Sequence, residues 1–176
     1  SESAERAYRL GLGEAIESGY SLLRSGATAR EAVVAAVRAM EISTAFNAGR
    51  GSALSINGNI ESDAAVMDGH GLETGAVAAV PDVTNAVALA DAVLDRSVHC
   101  LLAGGAAADW AESVGMDVER HPVPDARLAS WKKRVDTQPN ATESQRLVAM
   151  SGTHDLGDTV GAVALDENGR LAVAVS

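Results

Sequence analysis

Few residue clusters in this chain have the types and spacing needed for chemistry. The sequence contains no G-x-x-x-x-G-K-[ST] phosphate loop, no G-x-S-x-G nucleophile elbow and no H-E-x-x-H zinc motif. Its four histidines are scattered, so each is expected to be a surface or core residue rather than a ligand. Asp63 and Asp68 have an odd separation, which places them on opposite faces of a regular strand and argues against a catalytic carboxylate pair.

Thr159 stands where two regions of different character meet. Residues 136–158, which end in Asp158, are polar with few large apolar residues and predict a mobile linker. Residues 159–166 and 171–175 are apolar runs around a Glu-Asn-Gly turn, and they predict a hairpin. A threonine hydroxyl attacks only when a base takes its proton, and composition identifies no such base for Thr159. On composition alone, residue 159 is therefore a simple junction between a loop and a strand.

The elements around this junction predict a mixed α and β fold. Helical spacing of apolar residues favours helices, the second of them opened by a Thr28–Glu31 capping box, over residues 4–25, 29–41, 84–95, 106–113 and 125–135. Apolar runs predict buried strands over residues 75–80 and 100–103. A further hairpin is expected from residues 53–56 and 59–66, because Asn57-Gly58 suits a tight turn.

The composition excludes several classes of protein. Of the 176 residues, 47% are hydrophobic and only 3% aromatic, so the core must be built from Ala, Val, Leu and Ile. A formal net charge of −10 argues against nucleic-acid or anionic-membrane partners. The single Cys100 excludes an internal disulfide and is expected in the core, as a lone Cys in an apolar run. No apolar stretch predicts a membrane span or signal peptide, so a cytoplasmic location is expected.

Two long blocks resemble the plant-type asparaginase/isoaspartyl peptidase family, which are N-terminal nucleophile hydrolases. One block runs from Phe46-Asn-Ala-Gly-Arg-Gly-Ser-Ala-Leu to Asp63-Ala-Ala-Val-Met-Asp-Gly69. The other runs from Gly157-Asp-Thr-Val-Gly-Ala-Val-Ala-Leu-Asp to Gly169-Arg-Leu-Ala-Val-Ala-Val-Ser176. Similar segments lie between them, so the resemblance covers nearly the whole chain.

The resemblance implies a self-cleaving threonine hydrolase of L-asparagine or β-aspartyl (isoaspartyl) peptides. The precursor would break its own chain between Asp158 and Thr159, and Thr159 would become the nucleophile. A free N-terminal amine, with a pKa of about 7.7–8.0, can act as the base, whereas the same nitrogen inside a peptide bond cannot. Residues 1–158 would then be the region similar to the α subunit, and residues 159–176 the start of the β subunit.

The family also implies a four-layer αββα sandwich and a monovalent cation, usually sodium. Backbone carbonyls would hold the ion, and this sequence places them at Met40, Glu41, Ser43, Phe46, Ala48 and Arg50. Carbonyls of an irregular loop suit a hard cation. Asn47 would support the geometry of the nucleophile. The alternative for this loop is a purely structural connection. No cofactor is expected for catalysis itself.

Several departures from the family pattern leave alternatives open. The family's first strand is missing before Ser1, and its second active-site threonine would follow Ser176. The expectation is therefore an incomplete sandwich from a truncated precursor that is inactive alone, with homodimers of αβ units once complete. Glycosylasparaginase and a Taspase-like protease, which Val175 favours, are the competing activities. A fragment that only folds or pairs with a partner is the alternative without catalysis.

Overall fold

The computed structural model describes residues 2–136, Thr142 and residues 159–176. In chain order the helices are α1 (Glu2–Arg24), α2 (Ala29–Ile42), α3 (Ala86–Arg96), α4 (Gly105–Ser113) and α5 (Asp125–Asp136), with a short 3-10 turn at Gly49–Gly51. The strands are β1 (Glu61–Asp68), β2 (Glu73–Pro81), β3 (Leu101–Ala103), β4 (Gly161–Leu165) and β5 (Leu171–Val175). The chain is thus mixed α and β, as the sequence predicts.

The five strands form one sheet in the order β3-β2-β1-β5-β4. Strands β2 and β3 are parallel, and the other neighbours are antiparallel. One face of this sheet is buried in the core together with residues of α2 and α3, through Ala64, Val66, Val77, Ala172 and Ala174. Alternate residues of β4 and β5 point to the opposite face, where Val163 is 73% exposed. Helices therefore cover one face, and apolar side chains occupy the other.

Helix α2 begins where the sequence predicts it. Thr28 Oγ1 accepts from the Glu31 amide at 3.3 Å, and Glu31 Oε2 accepts from the Thr28 amide at 2.8 Å. This reciprocal pair satisfies two amides that a helix leaves without internal partners. The capping box lowers the pKa of the Glu31 carboxyl, chiefly through the bond from the Thr28 amide. Helix α2 then packs on β4 and β5, so it is the direct support of the hairpin.

The turn of the β4–β5 hairpin is tied to the first residue of α2 by Asp166. Oδ1 of Asp166 accepts from the amides of Asn168 and Arg170 at 2.9 and 3.0 Å. Its Oδ2 accepts from the Ala29 amide at 3.2 Å. These backbone donors, that of Arg170 first, hold the pKa of the Asp166 carboxyl below its usual range. One side chain therefore both closes the turn and anchors it to a helix.

The structure corrects two expectations and leaves a third almost wholly outside the described residues. The hairpin over residues 53–66 is reduced to a single bridge between Leu54 and Ile60, since strand β1 begins only at Glu61. Cys100 is exposed rather than in the core, because the short β3 that follows it lies at the sheet edge. The predicted linker over residues 136–158 lies outside the described residues, apart from Thr142 and from Asp136, which ends α5. Within the described part, no helix is long and apolar enough to cross a membrane.

Helix α3 lies so close to β2 that residue 75 must be glycine. A Cβ added at Gly75 would collide with the backbone oxygen of Ala90 and the backbone nitrogen of Leu94. It would also lie only 2.6 Å from the Leu94 Cβ. We expect Gly75→Ala to lower the free energy of unfolding by about 1–3 kcal/mol, because helix and strand must separate. Gly13→Ala is the matched control, since a Cβ there meets nothing within 4 Å and alanine favours a helix. Urea unfolding that shows equal stability for both variants would contradict this packing.

The hydrogen bonds of Asp166 predict that part of the free energy of unfolding is lost at acid pH. A carboxyl whose folded pKa lies below its unfolded value stabilises the fold above the unfolded pKa, and that contribution is lost as pH falls through the folded pKa. Asp166→Asn should therefore be less stable than the parent at neutral pH, and the gap should narrow between about pH 5 and about pH 2. Asp109→Asn, on the exposed face of α4, is the control. A gap that stays constant with pH in urea unfolding would contradict the assignment.

Candidate active site

The candidate site is a cleft of about 460 Å³ at the open end of the β4–β5 hairpin. Thr159 lies on its wall, immediately before the hairpin. Residues from four parts of the chain line the cleft: Asn47, Ala48, Ser52, Ala53, Glu61, Ser62, Asp63, Ala64, Ala65, Ala76, Val77, Thr159, Val175 and Ser176. The lining thus combines small apolar residues with the polar side chains of Asn47, Glu61, Asp63 and Thr159.

Strand alternation directs Thr159 into the cleft. Val160 and Ser176 exchange two backbone hydrogen bonds, both of 3.1 Å, which extend the hairpin by one pair beyond β4 and β5. The Val160 side chain is buried in the core with α2. Because neighbouring residues of an extended chain point to opposite sides, Thr159 takes the side away from the helices and is exposed. The predicted nucleophile is thus accessible to a substrate-sized molecule.

Asn47, which the sequence argument placed near Thr159, lines the same cleft. The Asn47 Oδ1 atom accepts a hydrogen bond of 2.6 Å from the Ala53 amide, which fixes the side chain across the loop between α2 and β1. A fixed amide side chain near a hydroxyl can orient it or a bound carbonyl group. Asp158, the other predicted residue of the cleavage site, lies outside the described residues.

Two carboxylates that the sequence did not single out for this cleft also line it. Glu61 and Asp63 are both exposed on β1 and lie along the cleft with Thr159. The register of β1 against β2 shifts between Ser62 and Ala64, and Asp63 Oδ1 accepts from the Ala79 amide at 2.8 Å across that irregularity. Bulges of this kind re-aim side chains beside functional sites. The cleft wall therefore carries negative charge, which attracts ammonium groups.

Part of the predicted cation loop converges on one point. The carbonyl oxygens of Ser43, Thr44 and Phe46 all face the α-carbon of Gly51, where an added Cβ would collide with the Phe46 oxygen and lie 3.0–3.1 Å from the other two. Thr44 was not among the predicted positions. A carbonyl oxygen has two lone pairs, so the bond of 3.2 Å that Phe46 accepts from Arg127 Nη2 leaves one for another donor or an ion.

The other predicted carbonyls occupy different parts of the same loop. Met40 and Glu41 lie in the last turn of α2, and Arg50 lies in the 3-10 turn. The Ala48 oxygen accepts from the Gly51 amide at 3.0 Å. Among the described residues no group of three or more His, Cys, Asp and Glu side chains could hold a metal ion. An ion in this loop would therefore have to be held by backbone carbonyls.

The side chain of Glu41 is the feature that sequence reasoning missed. It is fully buried, and its Oε1 accepts from the Val87 amide at 2.9 Å and from Ser176 Oγ at 2.8 Å. Its Oε2 has no hydrogen-bond partner in the described part of the chain and lies 3.8 Å from Arg38 Nη1. Burial raises the pKa of Glu41 to about 7, although the two donors and Arg38 pull it down.

A signal for Glu41 was present in the sequence. Ala29, Val33, Val37 and Glu41 follow one another at intervals of four along α2, and all four are buried. A carboxylate at a position where the helical stripe calls for an apolar residue must find hydrogen-bond donors inside the fold. The sequence argument treated Glu41 only as a backbone carbonyl and so did not look for its donors.

The family match and the similar proteins all point to asparaginases. The asparaginase family matches residues 1–176. An isoaspartyl peptidase/L-asparaginase of Danio rerio is 41% identical over 169 residues, which cover 95% of this chain and 52% of that protein. The isoaspartyl peptidase/L-asparaginase of Homo sapiens is 39% identical over 94% of this chain and 52% of its own length.

An archaeal relative extends the match to the whole chain. A plant-type L-asparaginase of Pyrobaculum calidifontis is 39% identical over 177 aligned residues, which cover 100% of this chain and 57% of that protein. The chain spans about half the length of these curated relatives. With a family match from its first residue to its last and relatives this similar in two domains of life, the chain belongs to the asparaginase family.

Proposed function

We propose that this chain is part of the precursor of an N-terminal-threonine amidohydrolase that acts on L-asparagine, β-aspartyl peptides or both. The observation that carries the proposal is the position of Thr159: exposed, at the open end of the β4–β5 hairpin, on the wall of a cleft that Asn47 also lines. Family membership and the printed names of the relatives support the same activity over glycosylasparaginase or a Taspase-like protease.

Activation is proposed to begin with attack by Thr159 on its own chain. The Thr159 hydroxyl oxygen attacks the carbonyl carbon of Asp158, and the bond between that carbon and the Thr159 nitrogen breaks. The nitrogen takes up the hydroxyl proton and becomes a free amine, while Asp158 is held as an ester on Thr159. Water then hydrolyses the ester and restores the hydroxyl. The reaction converts a nitrogen without basicity into the base that the hydroxyl needs.

Turnover would use the two groups that this cleavage creates. The free amine of Thr159 takes the proton from the hydroxyl, and the oxygen attacks the side-chain amide carbonyl of the substrate. Ammonia or a peptide leaves with that proton, and water releases L-aspartate from the resulting ester. Asn47 is held by Ala53 in the same cleft and is suited to orient the hydroxyl or the substrate.

The charge of the cleft fits these substrates. L-asparagine and β-aspartyl peptides each carry an α-ammonium group and an α-carboxylate next to the carbon chain that bears the reactive carbonyl. Glu61 and Asp63 line the cleft, and their negative charge suits the ammonium end of such a substrate. The same charge, and the net charge of −10, disfavour nucleic acids and anionic membranes as partners.

The open face of the sheet supports a larger architecture. Val163, Leu165 and Leu171 are 73%, 59% and 54% exposed on the face that no described helix covers. A second sheet packed on this face would bury these side chains and complete the αββα sandwich that the family implies. We extend the proposal to a homodimer of αβ units in the protein encoded by the whole gene.

We also propose a monovalent cation, usually sodium, in the loop after α2. The convergence of the Ser43, Thr44 and Phe46 oxygens on Gly51 supports it, because a cradle of carbonyls suits a hard cation. Such an ion would stiffen the loop that carries Asn47, and it would take no part in bond breaking. The proposed ion would thus influence the cleft only through the position of Asn47.

Self-cleavage is tested by the intact mass of the protein encoded by the whole gene, followed over days at neutral pH. We expect two new masses from a cut between Asp158 and Thr159, and none in Thr159→Ala, which has no hydroxyl. Thr159→Ser should still cleave, because it keeps the nucleophile. Thr142→Ala, a second exposed threonine before the hairpin, serves as the control and should cleave like the parent. A single unchanged parental mass would overturn the proposal.

Aspartate release from L-asparagine and from a β-aspartyl dipeptide then tests the activity. The cleaved parent and Thr142→Ala should release aspartate. Thr159→Ala should lose at least about 10⁴-fold in rate, because both the nucleophile and the cleavage that frees its base are removed. If cleaved parent protein turns over neither substrate, the cleavage mechanism survives but the substrate class is wrong.

Binding of a cation is tested by thermal unfolding in sodium chloride and in choline chloride at equal ionic strength. An ion bound only by the folded state raises the melting temperature, so the parent should melt higher in sodium. Gly51→Ala should lower the melting temperature and abolish the sodium effect, because the added Cβ would collide with the Phe46 oxygen and displace the neighbouring carbonyls of the loop. Gly13→Ala should keep the sodium effect. Equal melting temperatures of the parent in both salts would contradict a bound ion.

A further inference from the structure

Glu41 contacts the end of the hairpin from the side opposite the cleft. Its Oε1 accepts from Ser176 Oγ at 2.8 Å, and Ser176 exchanges two backbone bonds of 3.1 Å with Val160. Val160 is the residue that follows Thr159. One buried carboxylate oxygen is therefore connected to the backbone of the candidate nucleophile through a single residue pair.

A side-chain bond supplements the backbone pairing at this position. Strand β5 pairs with β1 as far as Val175, which lies opposite Ala65. Ser176 exchanges its backbone hydrogen bonds with Val160. The hydroxyl bond to Glu41 adds a restraint from α2 to this pair.

The carboxylate of Glu41 stands in a helical stripe whose other members are apolar. Glu41 belongs to the buried stripe of α2, where an apolar residue of similar size would pack against the same neighbours. Its Oε2 lacks a hydrogen-bond partner among the described residues, and burial of a carboxylate without full pairing is unfavourable. What Glu41 provides that a leucine would not is an acceptor for Ser176 and Val87.

We propose that Glu41 is a positioning residue for Thr159: its carboxylate holds the Ser176 hydroxyl, which fixes the Val160–Ser176 pair and so sets where the Thr159 hydroxyl stands in the cleft. The role rests on the proposed function of Thr159. Glu41 itself touches neither Thr159 nor the cleft, and it acts through Ser176 and Val160 alone. The Val87 amide, in the first turn of α3, donates to the same Glu41 oxygen and so fixes the carboxylate itself.

The main test uses Ser176→Ala in the protein encoded by the whole gene. This variant removes only the hydroxyl and leaves the bond from Val87 to Glu41. We expect the rate of self-cleavage before Thr159 to fall by at least about tenfold. The reason is that the Val160–Ser176 pair, which carries Thr159, loses its hydrogen bond to the Glu41 carboxylate. Ser176→Thr keeps a hydroxyl and should restore the rate. Ser113→Ala, an exposed serine on α4 that donates to the Trp110 carbonyl, is the matched control and should cleave like the parent.

A double-mutant cycle assigns the effect to Glu41. Glu41→Gln keeps a side-chain oxygen that can accept from Ser176 and should retain most of the cleavage rate. Glu41→Met removes the acceptor, and Ser176→Ala should have no further effect in that background. Parental rates in Ser176→Ala would overturn the proposal. Independent, multiplying losses from Ser176→Ala and Glu41→Met would also overturn it, even if Glu41→Met proved too unstable to interpret alone.

Hydrogen exchange tests the positioning without any need for cleavage. The amides of Val160 and Ser176 donate to each other's carbonyls, so their exchange reports the pair directly. In Ser176→Ala we expect both to exchange at least about tenfold faster, while amides at the centre of β4 and β5 stay protected. Unchanged exchange at both amides would overturn the proposal. If the parent does not cleave itself, the proposed function fails, and the exchange result still decides whether Glu41 positions this pair.

Discussion

The placement of Thr159 depends on how helix α2 holds the β4–β5 hairpin. Asp166, in the hairpin turn, accepts from the amide of the first residue of α2. Glu41, in the last turn of α2, accepts from the hydroxyl at the hairpin's open end. A helix of 14 residues spans about 20 Å, so the hairpin is fixed at two well-separated points along one rigid element. The candidate nucleophile is attached to the end of that span.

The two anchors differ in their electrostatics. Asp166 receives three backbone amides, and these donors lower its pKa. Glu41 receives two donors on one oxygen and none on the other within the described chain, and burial raises its pKa to about 7. The turn is therefore closed by a carboxylate whose two oxygens both accept hydrogen bonds, whereas the carboxylate at the open end accepts on one oxygen only among the described residues. Groups whose pKa is shifted by burial occur frequently at functional sites.

The sequence predicted well those elements that are encoded locally. The capping box at Thr28, the helical stripe of α2 and the turn at Gly169 are each specified by neighbouring residues, and each occurs in the structure. The pairing of β1 with β5 was not predictable in this way, because it joins segments far apart in the chain. The prediction of a hairpin around Gly58 was wrong although its local turn signal was right. A turn forms there, but the strands beside it share a single bridge. Trp131 of α5, distant in the chain, packs on Gly58 and donates to the Ser55 carbonyl.

The candidate site was predictable only in part. Thr159 and Asn47 came from motifs that resemble a family, and the structure places both on one cleft. The roles of Asp63 and Glu41 depend on a register shift and on donors from α3 and β5, which no local pattern encodes. The carbonyl cradle at Gly51 lies between these cases. Its loop was predicted, but the position of the Thr44 oxygen beside Gly51 follows from backbone geometry alone.

The hairpin's attachment to its neighbours is almost entirely noncovalent. Strand β5 pairs with β1, α2 packs beneath both strands, and two carboxylates fasten the ends, while only the segment between α5 and Thr159 joins the hairpin to the preceding chain. Such an arrangement has the character of a subunit interface inside one polypeptide. Scission of the connecting segment would leave these noncovalent contacts in place, so the position of the hairpin does not depend on covalent continuity with the preceding chain.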